Sequence, residues 1–313
     1  MKERSGILLL LSGCFLIVCT ARVQADTMYV SNPGNVNNQT ILKYGSSGGG
    51  SVFAASASGL SEPFGVACDS SGNVYVGNYA NNTILKYTPN GVASVFASSG
   101  LSGPQGLTFD SSGNLYVVNG GANSIEKFNS SGIGSRFAGT PADPYGIACD
   151  SAGNVYVSST LYDTITKYNP SGVGTVFASG LMFTGLACDS SGNLYASLFD
   201  YDMVAEYDPS GDGVVFASSG LNYLRGLAFD SSGNLCVANQ GNTLIGGGTI
   251  EEFAPNGAGN LFASGLNTPS FIAVVPIPKP SSWGLLAVGI AWSFRHYGRA
   301  KVTKAHKDGL ERS

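Results

Sequence analysis

Histidine is almost missing from this chain of 313 residues, and its two histidines, His296 and His306, both lie near the C-terminus. Charged residues make up only 12% of the sequence. The segment 26–278 has 6 basic and 17 acidic side chains, whereas both chain ends are basic. An acidic body argues against nucleic acid as a partner, because contacts to phosphates require a basic surface. Without a histidine, that segment also lacks a Ser-His-Asp or Cys-His catalytic group.

Cysteine is also scarce and carries no disulfide pattern. Two of the six cysteines lie within the first 25 residues. Cys68, Cys149 and Cys188 occupy one equivalent position in three repeats, and Cys236 stands where other repeats have tyrosine. Cysteines matched in this way indicate small, buried, free thiols.

The first 25 residues predict a signal peptide. Lys2 and Arg4 precede an apolar run at 7–19, and 23–25 reads Val-Gln-Ala, a small-residue cleavage site. The apolar run is too short to span a membrane comfortably. We expect export and cleavage after Ala25. An alternative is lipidation of Cys14, because residues 11–14 (Leu-Ser-Gly-Cys) resemble a bacterial lipobox.

A repeat of about 40 residues is the strongest pattern in the chain. Each repeat contains four short runs in which Val, Ile, Phe or Tyr alternate with small or polar residues, as in half-buried strands. The glycine of the first run occurs at Gly65, Gly106, Gly146, Gly185 and Gly226, with Phe271 in the sixth place. This period with four strands per repeat predicts a β-propeller.

The strands at the two ends of residues 26–276 predict how the propeller closes. The first repeat begins at a second strand, Met28–Val30, and its missing first strand occurs only at 271–274. One blade would therefore be built from both ends of the domain, which leaves no open sheet edge in the ring. The sequence predicts an all-β fold with six four-stranded blades.

Residues 65–76 (Gly-Val-Ala-Cys-Asp-Ser-Ser-Gly-Asn-Val-Tyr-Val) carry a family resemblance. They resemble the Gly-Ile-Ala-Val-Asp-x-x-Gly-Asn-x-Tyr-Val pattern of NHL-type and SMP-30/gluconolactonase-like propellers. The resemblance covers about 250 residues and implies the fold, but a fold does not fix an activity.

The last residues, 277–313, combine a Pro-rich spacer, a short apolar segment at about 281–294 and a basic tail. This arrangement resembles the PEP-CTERM sorting signal of Gram-negative bacteria, although Lys279 stands where that family has glutamate. The resemblance implies a Gram-negative source, the export machinery and an exosortase-like processing enzyme as partners, and transient or permanent membrane anchoring. We expect the protein at the cell surface or outside the cell.

The variable connections between strands indicate where a ligand would bind. The turns after the first and third strands of each repeat are nearly identical, whereas the other connections, on the opposite face, differ. The residues before the repeated glycine should surround the channel mouth, and neighbouring loops add tyrosines and acids. The candidate ligand-binding residues are Phe64, Gln105, Tyr145, Thr184, Arg225, Tyr79, Asp200 and Asp202. Asn78, Asn119, Tyr162 and Phe199–Tyr201 lie in the same loops.

These residue types suit a small polar ligand such as a sugar. Variation of solvated loops without a ligand would give the same pattern. Arg225 is the one cation among the residues before the repeated glycine, and it fits a ligand contact or an ion pair with a loop aspartate equally well. The repeated Asp-Ser-Ser-Gly-Asn turns could suggest Ca²⁺, but Asp and Asn in turns commonly bind their own backbone.

Two enzyme classes occur on related propellers. Streptogramin-lyase-like enzymes depend on histidine, which residues 26–278 lack. Gluconolactonase-like enzymes hold a divalent metal at the channel mouth, and Glu62, Asp143, Asp200 and Asp202 could supply carboxylates for Ca²⁺. No position matches that family's ligand motif. We therefore expect a non-catalytic binding or structural module without a cofactor and with an extracellular polysaccharide as partner. A metal-dependent lactone or sugar-acid hydrolase is the alternative.

Overall fold

A computed structural model describes residues 26–34, 39–241 and 247–275. These residues form 24 β-strands and two short 3-10 helices, Ser56–Ser58 and Phe199–Tyr201. The signal peptide, the lipobox and the segments predicted at 277–313 lie outside the described residues. Within the described ranges, no helix is long and apolar enough to cross a membrane.

The strands form six antiparallel sheets of four, and we number these blades in chain order. Blade 1 contains β24 (Ile272–Val274), β1 (Met28–Asn32), β2 (Thr40–Tyr44) and β3 (Gly50–Ala55). Blade 2 contains β4 (Pro63–Cys68), β5 (Val74–Asn78), β6 (Thr83–Tyr87) and β7 (Ala93–Ala97). Blade 3 contains β8 (Pro104–Phe109), β9 (Leu115–Asn119), β10 (Ser124–Phe128) and β11 (Gly134–Gly139).

The other three blades repeat this order. Blade 4 contains β12 (Pro144–Cys149), β13 (Val155–Ser159), β14 (Thr164–Tyr168) and β15 (Gly174–Ser179). Blade 5 contains β16 (Phe183–Cys188), β17 (Leu194–Leu198), β18 (Met203–Tyr207) and β19 (Gly213–Ala217). Blade 6 contains β20 (Leu224–Phe229), β21 (Leu235–Asn239), β22 (Gly248–Phe253) and β23 (Gly259–Leu266). The first strand of each blade in these lists contacts its counterparts in the two neighbouring blades, so the six inner strands surround one axis.

Blade 1 closes the ring as the sequence predicts. β24 pairs with β1 in the register Met28 with Val274, Tyr29 with Ala273 and Val30 with Ile272. Ser31 extends the seam, because its backbone N–H donates to the Phe271 carbonyl at 2.9 Å and its hydroxyl accepts from the Phe271 N–H at 2.9 Å. The all-β, six-bladed prediction is confirmed.

Aromatic side chains link neighbouring blades through the core. Tyr75 of the second strand meets Phe96 of the outer strand edge-to-face at 4.9 Å, and Phe96 then contacts Phe128 of the next blade at 6.2 Å. The last such contact, between Phe262 of blade 6 and Tyr44 of blade 1, measures 6.1 Å and joins the last blade to the first. Edge-to-face rings add roughly 0.5–1.5 kcal/mol each beyond their burial. The alternating Tyr and Phe of the repeat thus fix how the blades pack.

The near-identical turns after the inner strands stabilise themselves. In the turn 69–73, Asp69 Oδ1 accepts from the backbone N–H groups of Ser71 and Asn73, both at 2.9 Å. Its Oδ2 accepts from the Asn73 side chain at 2.7 Å. The same three bonds recur at Asp110, Asp150, Asp189 and Asp230. The turn interpretation is confirmed. We call this side of the ring the turn face and the opposite side the loop face.

Candidate ligand-binding face

A β-bulge at the loop-face end of each full inner strand positions the candidate residues. In blade 2, Pro63 pairs with Asn78 and Val66 pairs with Val76, so Phe64 and Gly65 together oppose the single residue Gly77. Blades 3 to 6 show the same shift. A bulge bends the strand and redirects the extra side chain. The residue before each glycine therefore sits at the channel mouth.

The repeated glycines let the inner strands approach one another at this level. A Cβ on Gly146 would lie 2.1 Å from the Thr184 carbonyl oxygen of the next blade. At Gly65 the corresponding contact is 1.9 Å from the Gln105 carbonyl oxygen. Only glycine allows such an approach of two backbones. The loop-face end of the channel is consequently narrow.

Tyr145 crosses this narrow end. It belongs to blade 4, yet its ring stacks on Phe271 of the opposite blade 1, with the ring centroids 5.4 Å apart. It also meets Phe64 of blade 2 edge-to-face at 6.3 Å. Its hydroxyl lies 3.4 Å from the Ser270 hydroxyl. Tyr145 and Phe271 are 7% and 8% exposed, so together they close the channel on the loop face.

Arg225 of blade 6 lies against this closure. Its Nη1 donates to the Tyr145 hydroxyl at 3.0 Å, and its Nε donates to Gln240 Oε1 at 3.0 Å. The guanidinium carbon is 5.3 Å from the centroid of the Tyr145 ring and 4.9 Å from that of Phe199. Arg225 is half-buried. The ion pairs within the described ranges are Lys86–Asp69 and Lys127–Asp110, so the expected alternative of a loop-aspartate pair is not what this structure shows.

Gln105 and Thr184 differ in whether their polar side-chain atoms are hydrogen-bonded within the protein. Gln105 is 8% exposed, and its Oε1 is buried without a hydrogen-bond partner in the described structure. Thr184 is 0% exposed, and its hydroxyl donates to the Leu224 carbonyl at 3.0 Å. The short threonine side chain thus turns to the neighbouring inner strand instead of the mouth, which the sequence pattern did not indicate.

The two aspartates proposed from sequence have different surroundings. Asp200 is exposed within the 3-10 helix. Asp202 has a left-handed backbone (φ 50°), and its Oδ1 accepts from the Tyr223 N–H of the next blade at 2.7 Å. Asn82 and Asn123 make the equivalent bond to the next blade, at 2.6 and 3.2 Å. Asp202 therefore holds two blades together, and its position before the third strand, matched by Asn in other repeats, was the signal for this role.

Two further loop residues from the sequence analysis also serve the fold. Asn78 accepts from the Ser61 N–H at 3.1 Å and donates to the Gly59 carbonyl at 3.0 Å. Asn119 repeats this pattern with Ser102 and Gly100. Both are buried. Their side chains hydrogen-bond the preceding loop to the blade, so these groups are not available to a ligand.

Exposed tyrosines distinguish the loop face from the turn face. Among large apolar side chains that are exposed within the described ranges, the aromatic ones are Tyr79, Tyr162, Tyr201 and Tyr223, at 38%, 61%, 55% and 44%. All four lie in loop-face connections. Tyr223 and Gln240 were not among the predicted site residues. The positive φ of Tyr223 (51°) recurs at Glu62, Gly103 and Asp143, which hold the equivalent position in other blades.

The channel opens on the turn face instead. The last three residues of the six inner strands line a cavity of about 330 Å³. Its wall includes Cys68, Cys149 and Cys188, while Cys236 lies buried elsewhere. All four thiols are free, as predicted, but the three in the channel wall are partly exposed. Burial, with a smaller contribution from Asp150, raises the pKa of Cys188 to about 12, so this thiol is protonated at neutral pH.

The carboxylates considered for a metal do not converge. Asp143 has its carboxylate hydrogen-bonded by the Thr160 hydroxyl, Asp202 is bonded to Tyr223, and Asp200 is exposed. Within the ranges that the structure describes, no three Asp, Glu, Cys or His side chains are grouped as metal ligands.

No protein-family model matches the chain, and no curated protein matches it in sequence. Solved structures do resemble it. A propeller from a nidogen/laminin complex is 15% identical with a TM-score of 0.66, covering 81% of this chain and 100% of that one. The virginiamycin B lyase of Staphylococcus aureus in complex with quinupristin is 14% identical with a TM-score of 0.58, covering 77% and 86%.

A third similar structure is a gluconolactonase from Xanthomonas campestris, 16% identical with a TM-score of 0.55, covering 67% of this chain and 78% of that one. At such identities the similarity shows the fold alone. The chain is a six-bladed β-propeller whose structural neighbours include a binding module and two kinds of enzyme.

Proposed function

We propose that this protein is an exported, non-catalytic propeller that binds a saccharide of the extracellular matrix on its loop face. The observation that carries the proposal is the closed mouth built around Tyr145. It leaves the Arg225 guanidinium at the closed end of the channel, and two exposed tyrosines lie beside it, Tyr79 against Phe64 and Tyr223 against Phe199. Aromatic faces with a few fixed polar groups suit sugar rings.

The positions of the described chain ends support this assignment. Thr27 and Val275 are joined by a backbone hydrogen bond of 2.9 Å, and Asp26 accepts from Ser231 in a turn of blade 6. Both ends of the described chain therefore lie on the turn face. A membrane anchor following residue 275, as the sequence predicts, would leave the loop face pointing away from the membrane.

A saccharide-binding assay with face-specific variants tests the proposal. We expect exported polysaccharide fragments to bind the segment 26–275, and we expect Tyr79→Ala and Tyr223→Ala to weaken binding at least severalfold. Ser111→Ala and Ser190→Ala on the turn face are the matched controls and should leave binding unchanged. Equal losses on both faces would contradict the assignment of the loop face.

The alternative, a metal-dependent lactone hydrolase, would use the same face. Metal analysis of the purified domain separates the two functions. Stoichiometric Ca²⁺ that is lost in Asp200→Asn, together with hydrolysis of aldonolactones, would favour the enzyme.

A further inference from the structure

The guanidinium of Arg225 lacks a carboxylate partner in the described structure. Removing a charge from water costs free energy, which pairing with an opposite charge and hydrogen bonds can offset. Arg225 instead uses two of its five N–H groups on the neutral partners Tyr145 and Gln240. Three N–H groups, one on Nη1 and both on Nη2, have no acceptor among the described residues.

The surroundings hold this guanidinium in one orientation. Tyr145 and Phe199 contact it with their rings, and Gln240 fixes its Nε. Immobilising a guanidinium in this way reduces the entropy lost when it binds a planar, two-oxygen group. The N–H groups left over, concentrated on Nη2, are the ones a carboxylate would use.

Arg225 also differs from the other cations of the propeller. The lysines Lys43, Lys86, Lys127 and Lys167 each lie over the tyrosine paired with them on the second strand. Arg136 is exposed on the outer strand β11. Arg225 is thus the cation that the described structure places at the channel mouth.

From this geometry we infer that the saccharide recognised on the loop face bears a carboxylate and that Arg225 binds it. This inference rests on the proposed function and specifies its ligand. The ligand class is a uronic acid unit within an otherwise neutral saccharide. A dense polyanion fits poorly, because the surrounding loops carry Glu62, Asp143, Asp163, Asp200 and Asp202 and would repel it.

Matched disaccharides test the inference directly. One pair is cellobiouronic acid and cellobiose, and the corresponding galacturonate/galactose and mannuronate/mannose pairs are tested beside it. The two members of a pair differ at a single carbon, which carries the carboxylate in the acidic member. We expect calorimetry to show that at least one acidic member binds about 10- to 100-fold more tightly than its neutral counterpart, as a charge-assisted bond provides. This preference should decrease in 0.5 M NaCl because salt screens it.

Variants assign the preference to the guanidinium. Arg225→Met should abolish the preference for the acidic sugar. Arg225→Lys should retain part of the preference, because lysine keeps the positive charge as a point charge. Arg136→Met is the control and should retain the full preference. Because Arg225→Met could perturb the mouth, the salt dependence of the unmodified protein is a second, independent measurement. Equal binding of acidic and neutral members, insensitive to salt and to Arg225→Met, would overturn the carboxylate inference while leaving saccharide binding in place. Absence of saturable binding by every member would contradict the proposed function itself.

Discussion

Tyr145 and Phe271 lie on opposite blades of the ring, and their rings nevertheless stack at 5.4 Å across the channel. Phe271 takes the place that glycine occupies in the other five repeats. Its side chain lies over the loop-face end of the channel, where it meets Tyr145. The contact thus joins the last inner strand of the chain to blade 4, on the opposite side of the ring. The two rings lie beneath the proposed binding surface.

We expect Tyr145→Ala to destabilise the propeller by about 2–4 kcal/mol, as for other buried aromatic truncations. Tyr145→Phe keeps the stacking and removes only the hydrogen bond from Arg225, so its cost should be about 1 kcal/mol. Denaturant unfolding measures both values. If Tyr145→Ala unfolded at the wild-type midpoint, the ring would not be packed across the channel as described.

The seam of blade 1 predicts how the chain responds to truncation. A chain ending at Ser270 loses β24 and exposes the inner edge of β1, whereas a chain ending at Val275 keeps the pairing. We expect the shorter chain to aggregate or unfold at a much lower temperature, because an unpaired edge recruits other strands. Size-exclusion chromatography and thermal unfolding compare them. Equal stability of the two chains would show that the seam does not close the ring.

Gly146→Ala tests the close approach of the inner strands. The added methyl would meet the Thr184 carbonyl oxygen at 2.1 Å, so two blades must move apart. We expect a loss of roughly 2–3 kcal/mol, as in overpacked cores. Gly45→Ala is the matched control, because a Cβ there has no neighbour within 4 Å, and it should leave the free energy of unfolding almost unchanged.

Glu252 gives a pH-dependent prediction. Burial, followed by the nearby carboxylate of Asp230, raises its pKa. For an acid whose pKa is higher in the folded state, stability increases as the pH falls through that pKa and is lost again as the pH rises. We therefore expect Glu252→Gln to stabilise the protein at pH 7.

Near pH 4 the same substitution should have little effect, because Glu252 is then largely protonated. Asp212→Asn, which removes an equal charge from an exposed turn residue, is the control and should not show this dependence. Thermal unfolding midpoints at the two pH values give the comparison. A stabilisation by Glu252→Gln that was equal at both pH values would contradict the assigned pKa shift.

The repeat made most of the fold predictable. Strand identity and the turn at Asp69 depend on neighbours within a few residues. The strand pattern recurs in five further repeats, and the turn recurs in four. The closure of the ring by residues 271–274 could be predicted because the first repeat lacks its first strand and the chain has one such strand left over at its end. The same repeat comparison could have shown that Asp202 is equivalent to Asn82 and Asn123, and hence a contact between blades.

The contacts of the binding surface could be predicted only in part. The position of Tyr145 at the mouth follows from its place before Gly146. Its reach to Phe271 and Arg225 depends on the bulge and on the width of the ring, which no local pattern encodes. The inward turn of Thr184 depends in the same way on the neighbouring inner strand, whose Leu224 carbonyl it binds.

Hydroxyl-radical footprinting with the acidic disaccharide that binds most tightly tests the central claim that the loop face is the binding face. We expect protection of the exposed Tyr79 and Tyr223, because their rings contact Phe64 and Phe199, which lie against Tyr145 and Arg225. Val92, Ile133 and Val173, exposed in turns of the opposite face, should react equally with and without the sugar. Protection of these turn residues while Tyr79 and Tyr223 stayed fully reactive would contradict the account.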